Sequence, residues 1–216
     1  AAAGERAFSV GADVNAWSAL APLDMWRWWV RDGHRVLQRL ASLRQPTIAA
    51  VQGLAFGGGL ELAMATDVRI ASADAAFAMP EVRIGTLPGW GGTQRLPALI
   101  GAARAKQMIF TGQRIDAATA ERWGLVNEVV PADALAARAT QLAQQIAANA
   151  PIAVQLAKAA IDHDVGAGVV EDLRRLVERD GQRVRPAIEG DHPALRHSAH
   201  ERGAGARQIG PRVWPG

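Results

Sequence analysis

This chain of 216 residues contains no cysteine, so it has neither a disulfide framework nor a thiolate metal site. It has no run approaching the ~18 to 20 apolar residues that a membrane-spanning helix needs. Its opening stretch, Ala1-Ala-Ala-Gly-Glu-Arg6, is too short and too polar for a signal peptide. The G-x-G-x-x-G and Gly-Lys-Ser/Thr patterns of nucleotide-binding loops are missing as well, and no tandem repeat is visible. Charge excess is confined to one end. Residues 1–180 hold 18 Lys/Arg against 18 Asp/Glu, and the net charge of +3 comes from six arginines and three acids in residues 181–216. The pI near 10.4 therefore describes a tail, with no interleaved basic and aromatic surface for nucleic acid. These features predict a cytoplasmic protein with no membrane and no nucleic acid among its partners. The chain also starts without Met.

At 49% apolar, the chain is long enough for one ordinary domain with a sizeable core. One stretch carries the first chemical signal. Thr47-Ile-Ala-Ala-Val51, after Pro46, is a β-branched and apolar run that predicts a buried strand. Gly57, Gly58 and Gly59 follow, then a helix-forming run from Leu60 to Ala65. Glycines at a strand-to-helix junction let a ligand approach the backbone and leave N–H groups free at the positive end of a helix. Such groups stabilise a phosphate or a developing oxyanion. Glu61 stands two residues after the last glycine, where it would repel a phosphate. Two readings of it stay open at this point: an acid or base beside an oxyanion site, and a cap on the N-terminus of its own helix.

Further elements follow in order. Residues 22–44 have Trp26, Trp29, Gly33, Val36, Leu40 and Leu43 at three- and four-residue spacing, which predicts one amphipathic helix. Four tryptophans between 17 and 29 are candidates for lining an acyl or aromatic pocket, or for core and subunit contact. Residues 67–73 predict a strand, Gly101 to Phe110 a helix closed by Gly112, and Asp116 the cap of a helix over 117–123. Leu125 to Val130 predicts a short strand, and 132–149 and 151–162 predict alanine-rich helices. Residues 181–216 have no period and contain Pro and Gly throughout, which predicts an irregular tail. His192, His197 and His200 lie there without a fourth ligand at fixed spacing, so no metal site is expected.

Three separated blocks carry a resemblance. They are Ala7-Phe-Ser-Val-Gly-Ala-Asp13, the glycine stretch ending Gly57-Gly-Gly-Leu-Glu61, and Phe77-Ala-Met-Pro-Glu81 followed by Pro88-Gly-Trp-Gly-Gly92. Over roughly residues 6–180 the chain resembles the enoyl-CoA hydratase/isomerase (crotonase) superfamily. The resemblance implies an α/β fold built as a spiral of ββα turns. Residues 1–130 would be a core lacking the usual N-terminal strands, and 131–180 a helical region that mediates homotrimers or dimers of trimers. It implies hydration of a trans-2-enoyl-CoA thioester with no cofactor, CoA being part of the substrate. Carried over residue by residue, Glu61 activates water and Glu81 protonates C2. The N–H groups of Ala12 and Gly58 form an oxyanion hole, and Gly89 positions the water. Asp13, Gly57, Pro88 and Lys158 contribute to substrate binding. Asn15 stands where many relatives have a basic residue. The alternatives are an isomerase or other acyl-CoA enzyme of the superfamily, and a non-catalytic acyl-CoA-binding or assembly subunit; an RNA-binding role for the basic tail is a further rival.

Overall fold

The first strand, β1 (Ala7–Ser9), leads through Gly11 into a short helix, α1 (Val14–Ser18), whose N-cap is Asp13. Asp13 Oδ1 accepts from the N–H groups of Asn15 and Ala16 at 3.0 and 3.3 Å. The helical stretch predicted for residues 22–44 runs from Pro22 to Ala41 in three parts: α2 (Pro22–Asp24), a π-helical segment (Met25–Val30) and α3 (Arg31–Ala41). A π turn takes up one residue more than an α turn, so the inward face downstream moves on by one position. Leu37 is the buried residue of α3, whereas Val36, placed on the apolar face by simple periodicity, is exposed.

The predicted strand after Pro46 is β2 (Ile48–Val51), and β3 (Leu54–Phe56) follows at once. The glycines then open α4 (Gly58–Met64). The pattern repeats with β4 (Val68–Ser72), β5 (Ala76–Ala78), a 3-10 turn (Glu81–Ile84), and the helices α5 (Gly92–Ile100) and α6 (Ala102–Thr111). Next come β6 (Ile115–Asp116), α7 (Ala117–Trp123) and β7 (Glu128–Val130). A 3-10 turn (Ala132–Ala134) precedes α8 (Leu135–Ala147) and α9 (Pro151–Asp162). This is a computed structural model, and it describes Ala2, Gly4 and residues 6–162. The expectations for the tail, for its three histidines and for residues 163–180 lie outside the described residues.

Strands β1 to β5 alternate between two sheets, and β6 then joins the sheet of β5. One has the order β1-β3-β5-β6 and the other β2-β4-β7; all neighbours are parallel except β5 and β6. The turns β2-β3-α4 and β4-β5-α5 each give a strand to each sheet and then a helix, the ββα spiral expected from the resemblance. Phe77, Leu60, Met79, Leu96, Met108, Leu125 and Val51 are fully buried in the main core. Burying each of these side chains contributes about 1.5 to 3 kcal/mol. Leu125, predicted to begin a strand, instead precedes it. Asn127 still pairs with β4, donating to Arg69 O at 2.8 Å and accepting from Arg69 N–H at 2.9 Å.

Leu135, Ala139 and Leu142 of α8 form a second, smaller core with Ala50 and Ile70 on the β2-β4-β7 sheet. The sheets, both cores and the cavity described below belong to the unit Ala1–Ala159, and a second unit, Ala160–Gly216, begins inside α9.

Candidate active site

Gly57 has φ +53° and ψ −124°, a conformation that L side chains rarely adopt, and it turns the chain from β3 into α4. Gly58 and Gly59 are the first two residues of α4, so their N–H groups have no acceptor within the helix. Gly11, with φ +92°, brings the chain ahead of Ala12 against this helix start. A Cβ on Gly11 would lie 2.9 Å from the Gly58 nitrogen. Two β-to-α connections are thereby pressed together at their backbones, which only glycine permits there.

Glu61 lies on the first turn of α4 and is 2% exposed. Its side chain does not cap its own helix. Oε1 accepts from the N–H of Trp90, on the turn before α5, at 2.7 Å and from that of Gly92, the first residue of α5, at 2.8 Å. Burial raises the Glu61 pKa above the ordinary glutamate value. The two N–H bonds oppose that rise, and so does the positive charge of Arg95.

Glu81 arrives from the other side, at the start of its 3-10 turn. A Cβ on Gly57 would stand 3.0 Å from Glu81 Oε1, so the carboxyl occupies space that a side chain on Gly57 would take. Both Glu81 oxygens are buried and neither has a hydrogen-bond partner. Burial is the main reason its pKa is pushed up to about 7. Its own N–H, too poorly placed to form a hydrogen bond, offsets part of that rise, and the nearby Glu61 adds to it. The two glutamates share a site with opposite polar surroundings: Glu61 has donors suited to an anion, and Glu81 has none.

Ala12, Gly57, Gly58, Glu61, Glu81 and Gly89 all line one cavity of about 370 Å³. Its remaining walls are largely apolar, with Trp17, Met25, Trp29 and Val30 on the helical side and Ile84 and Leu87 opposite in sequence. The widened turn of the π segment lets two adjacent residues, Trp29 and Val30, line it together. Such a space suits an apolar chain attached to a group that accepts two N–H bonds while a proton moves at a neighbouring atom.

Three predicted residues fall outside this lining. Asp13 is the cap of α1. Pro88 is fully buried beneath the turn, where a Cβ on Gly92 would touch it at 2.8 Å. Lys158 forms an ion pair with Asp67, whose other oxygen accepts from Thr47 N–H and Oγ1–H at 2.6 and 2.9 Å. Its ammonium ties α9 to the starts of β2 and β4. Among the described residues, no three His, Asp or Glu side chains come together as a metal site, and no helix is long and apolar enough to cross a membrane.

The sequence profile of the enoyl-CoA hydratase/isomerase family matches residues 1–177. The chain belongs to this family. It is 48% identical over 160 residues to the short-chain-enoyl-CoA hydratase of Clostridium acetobutylicum, covering 74% of this chain and 61% of that protein. It is 42% identical over 172 residues to a crotonyl-CoA hydratase of Syntrophomonas wolfei, covering 80% and 64% respectively. The alignments thus span less than two thirds of these relatives' own length. The crystal structure of an enoyl-CoA hydratase from Bacillus anthracis superposes with a TM-score of 0.73 at 40% identity, covering 92% of this chain and 75% of that one.

Within this family fold, sequence reasoning missed Trp90. Besides its N–H on Glu61, its indole Nε1 donates to Trp29 O at 3.0 Å. Its ring lies over Gly58, 2.6 Å from where a Cβ would be, and 5.8 Å from the ring of Trp29. The signal was the run of glycines on both sides of a tryptophan, which marks a backbone used as a donor and closely approached. The Arg95 side chain was missed too. Its role depends on an arginine folding back over its own helix start, which periodicity does not reveal.

Proposed function

We propose that this chain hydrates trans-2-enoyl-CoA thioesters reversibly, by syn addition of water. The observation that carries the reading is the pair of buried carboxyls on one apolar cavity, one held by two N–H donors and the other by none, beside the open helix start at Gly58. Glu61, favoured as the anion, takes a proton from water as its oxygen bonds to C3. The electron pair of the C2–C3 double bond moves onto the thioester, and the resulting negative oxygen is held by the N–H groups of Ala12 and Gly58. Glu81, favoured as the acid, delivers its proton to C2. In comparable sites each oxyanion donor is worth roughly 3 to 4 kcal/mol. Proton return from Glu61 to Glu81 through solvent completes the cycle, and no cofactor takes part. Gly89 contributes backbone at the place where the water would sit.

The relatives' names, short-chain-enoyl-CoA and crotonyl-CoA hydratase, support a short acyl group as substrate. A cavity of about 370 Å³ lined by Trp29, Val30 and Leu87 agrees with that. The reading extends to a role in acyl-CoA breakdown by β-oxidation in the cytoplasm. It also extends to assembly as a homotrimer or a dimer of trimers. The exposed Trp26, Trp28 and Phe110 give such an assembly apolar surface to cover. Turnover of crotonyl-CoA, followed as loss of the conjugated thioester absorbance, tests the activity. A sample that binds acyl-CoA in a thermal-shift titration without turning crotonyl-CoA over would instead be the non-catalytic subunit.

A further inference from the structure

The two hydrogen bonds holding Glu61 both come from the turn Pro88 to Gly92, so whatever fixes that turn fixes the carboxylate. Arg95, on the first turn of α5, does so with its side chain. Its Nη1 donates to Trp90 O at 2.9 Å, and its Nη2 donates to Gln38 Oε1 on α3 at 3.2 Å. The guanidinium crosses directly over Gly91, which has φ +105°. A Cβ there would lie 2.3 Å from Nη1. The backbone bonds from Gln94 and Arg95 N–H to Gly91 O close the turn from beneath.

A cation in the first turn of a helix opposes the helix dipole, and this one is also partly desolvated. Among the described residues, no carboxylate lies within ion-pair distance of Arg95, and the charge that acts on it is that of Glu61. Its placement is unfavourable for α5 alone and favourable for an anion at Glu61.

We propose that Arg95 is a positioning residue that holds the Glu61 carboxylate aligned and ionised through the turn Pro88 to Gly92, with Gln38 as its anchor on α3. The proposal rests on the hydration reading for its consequence and on the hydrogen bonds for its geometry. Loss of the guanidinium would release Trp90 O and loosen both N–H donors. It would also remove the positive charge that counters burial at Glu61. The other charged or titratable groups nearby are Glu81 of the 3-10 turn, whose own pKa the Glu61 charge raises, and Arg31, His34 and Arg35 of α3, which line the same outer groove as Arg95.

The test compares wild type with Arg95→Met, Arg95→Lys and Gln38→Ala. The carboxyl carbon of Glu61 is titrated by NMR and assigned with Glu61→Gln, and kcat and KM for crotonyl-CoA are followed against pH. In Arg95→Met the Glu61 titration should move to higher pH. Its kcat should fall on the order of tenfold to a hundredfold, as for a misplaced catalytic group, with a smaller change in KM. That loss should be greatest on the acid side. Arg95→Lys should return the titration toward wild type while recovering only part of kcat, because lysine brings the charge but not the fork. Gln38→Ala should move both readings in the same direction, by less. If Arg95→Met does not fold, Arg95→Lys and Gln38→Ala carry the test. An unchanged Glu61 titration in the folded variants, or loss of rate by one factor at all pH values, would overturn the proposal. A shifted titration in a protein that never hydrates crotonyl-CoA would uphold the positioning role while removing the proposed function.

Discussion

Glu61 Oε1 lies 2.8 Å from the amide nitrogen of Gly92, a residue 31 positions further along the chain. That bond explains why a glycine opens α5. A Cβ on Gly92 would stand 2.9 Å from the same oxygen, 2.8 Å from Pro88 Cβ and 2.9 Å from Met79 Cε. Gly92→Ala should therefore lower stability by about 1 to 3 kcal/mol through overpacking and reduce turnover further by displacing Glu61. Denaturant unfolding and crotonyl-CoA turnover on one preparation check this. A variant with wild-type stability and rate would show that the turn tolerates the methyl group.

Glu81 gives a pH-dependent stability with a definite sign. Its folded pKa of about 7 lies above the ordinary value of 4.5, so the folded state holds this proton more tightly than the unfolded chain. The favourable contribution is fully present below pH 4.5 and is lost as pH rises through about 7. Glu61, also raised, adds in the same direction. Glu81→Gln, neutral at every pH, should be more stable than wild type at pH 8, and this advantage should shrink steadily toward pH 4.5. Thermal unfolding across that range measures the difference. A constant difference would mean that Glu81 titrates normally.

The Lys158–Asp67 pair predicts a separation of stability from activity. The Lys158 side chain is 9% exposed and that of Asp67 is 23% exposed. Removing one partner of such a pair leaves a poorly solvated charge, so Lys158→Met should cost up to about 3 kcal/mol. KM for crotonyl-CoA should stay within about twofold, because the lysine does not line the cavity. A large rise in KM in a stable variant would instead support the substrate-binding role.

The strands β2 and β4 and the glycine turn between them were legible because local signals agree there, whereas the spiral was expected from the family resemblance alone. β-branched runs give β2 and β4, and glycines with positive φ give the turn into α4. Asp116, which accepts from Thr119 N–H at 2.8 Å, gives the start of α7. The phase of α3 was not legible, because a single π segment shifts every later position and leaves no mark in a three- and four-residue pattern. Glu61 was recognisable as a candidate base, but its partners were not, since Trp90 and Gly92 act through backbone N–H groups that any residue type carries. The pairing of Lys158 with Asp67 was not legible, because the two residues lie 91 positions apart in sequence.

The central claim is that Glu61 and Glu81 share one cavity and do different jobs. Its most direct test is deuterium exchange at C2 of butyryl-CoA in heavy water, measured for wild type, Glu61→Gln and Glu81→Gln beside hydration of crotonyl-CoA. Each variant should lose hydration by a factor on the order of 10² to 10⁴, the range for a positioned acid or base. Glu81→Gln should abolish C2 exchange, because that carboxyl serves C2, while Glu61→Gln should keep a measurable part of it. Equal loss of exchange in both variants, or wild-type hydration in either, would contradict the account.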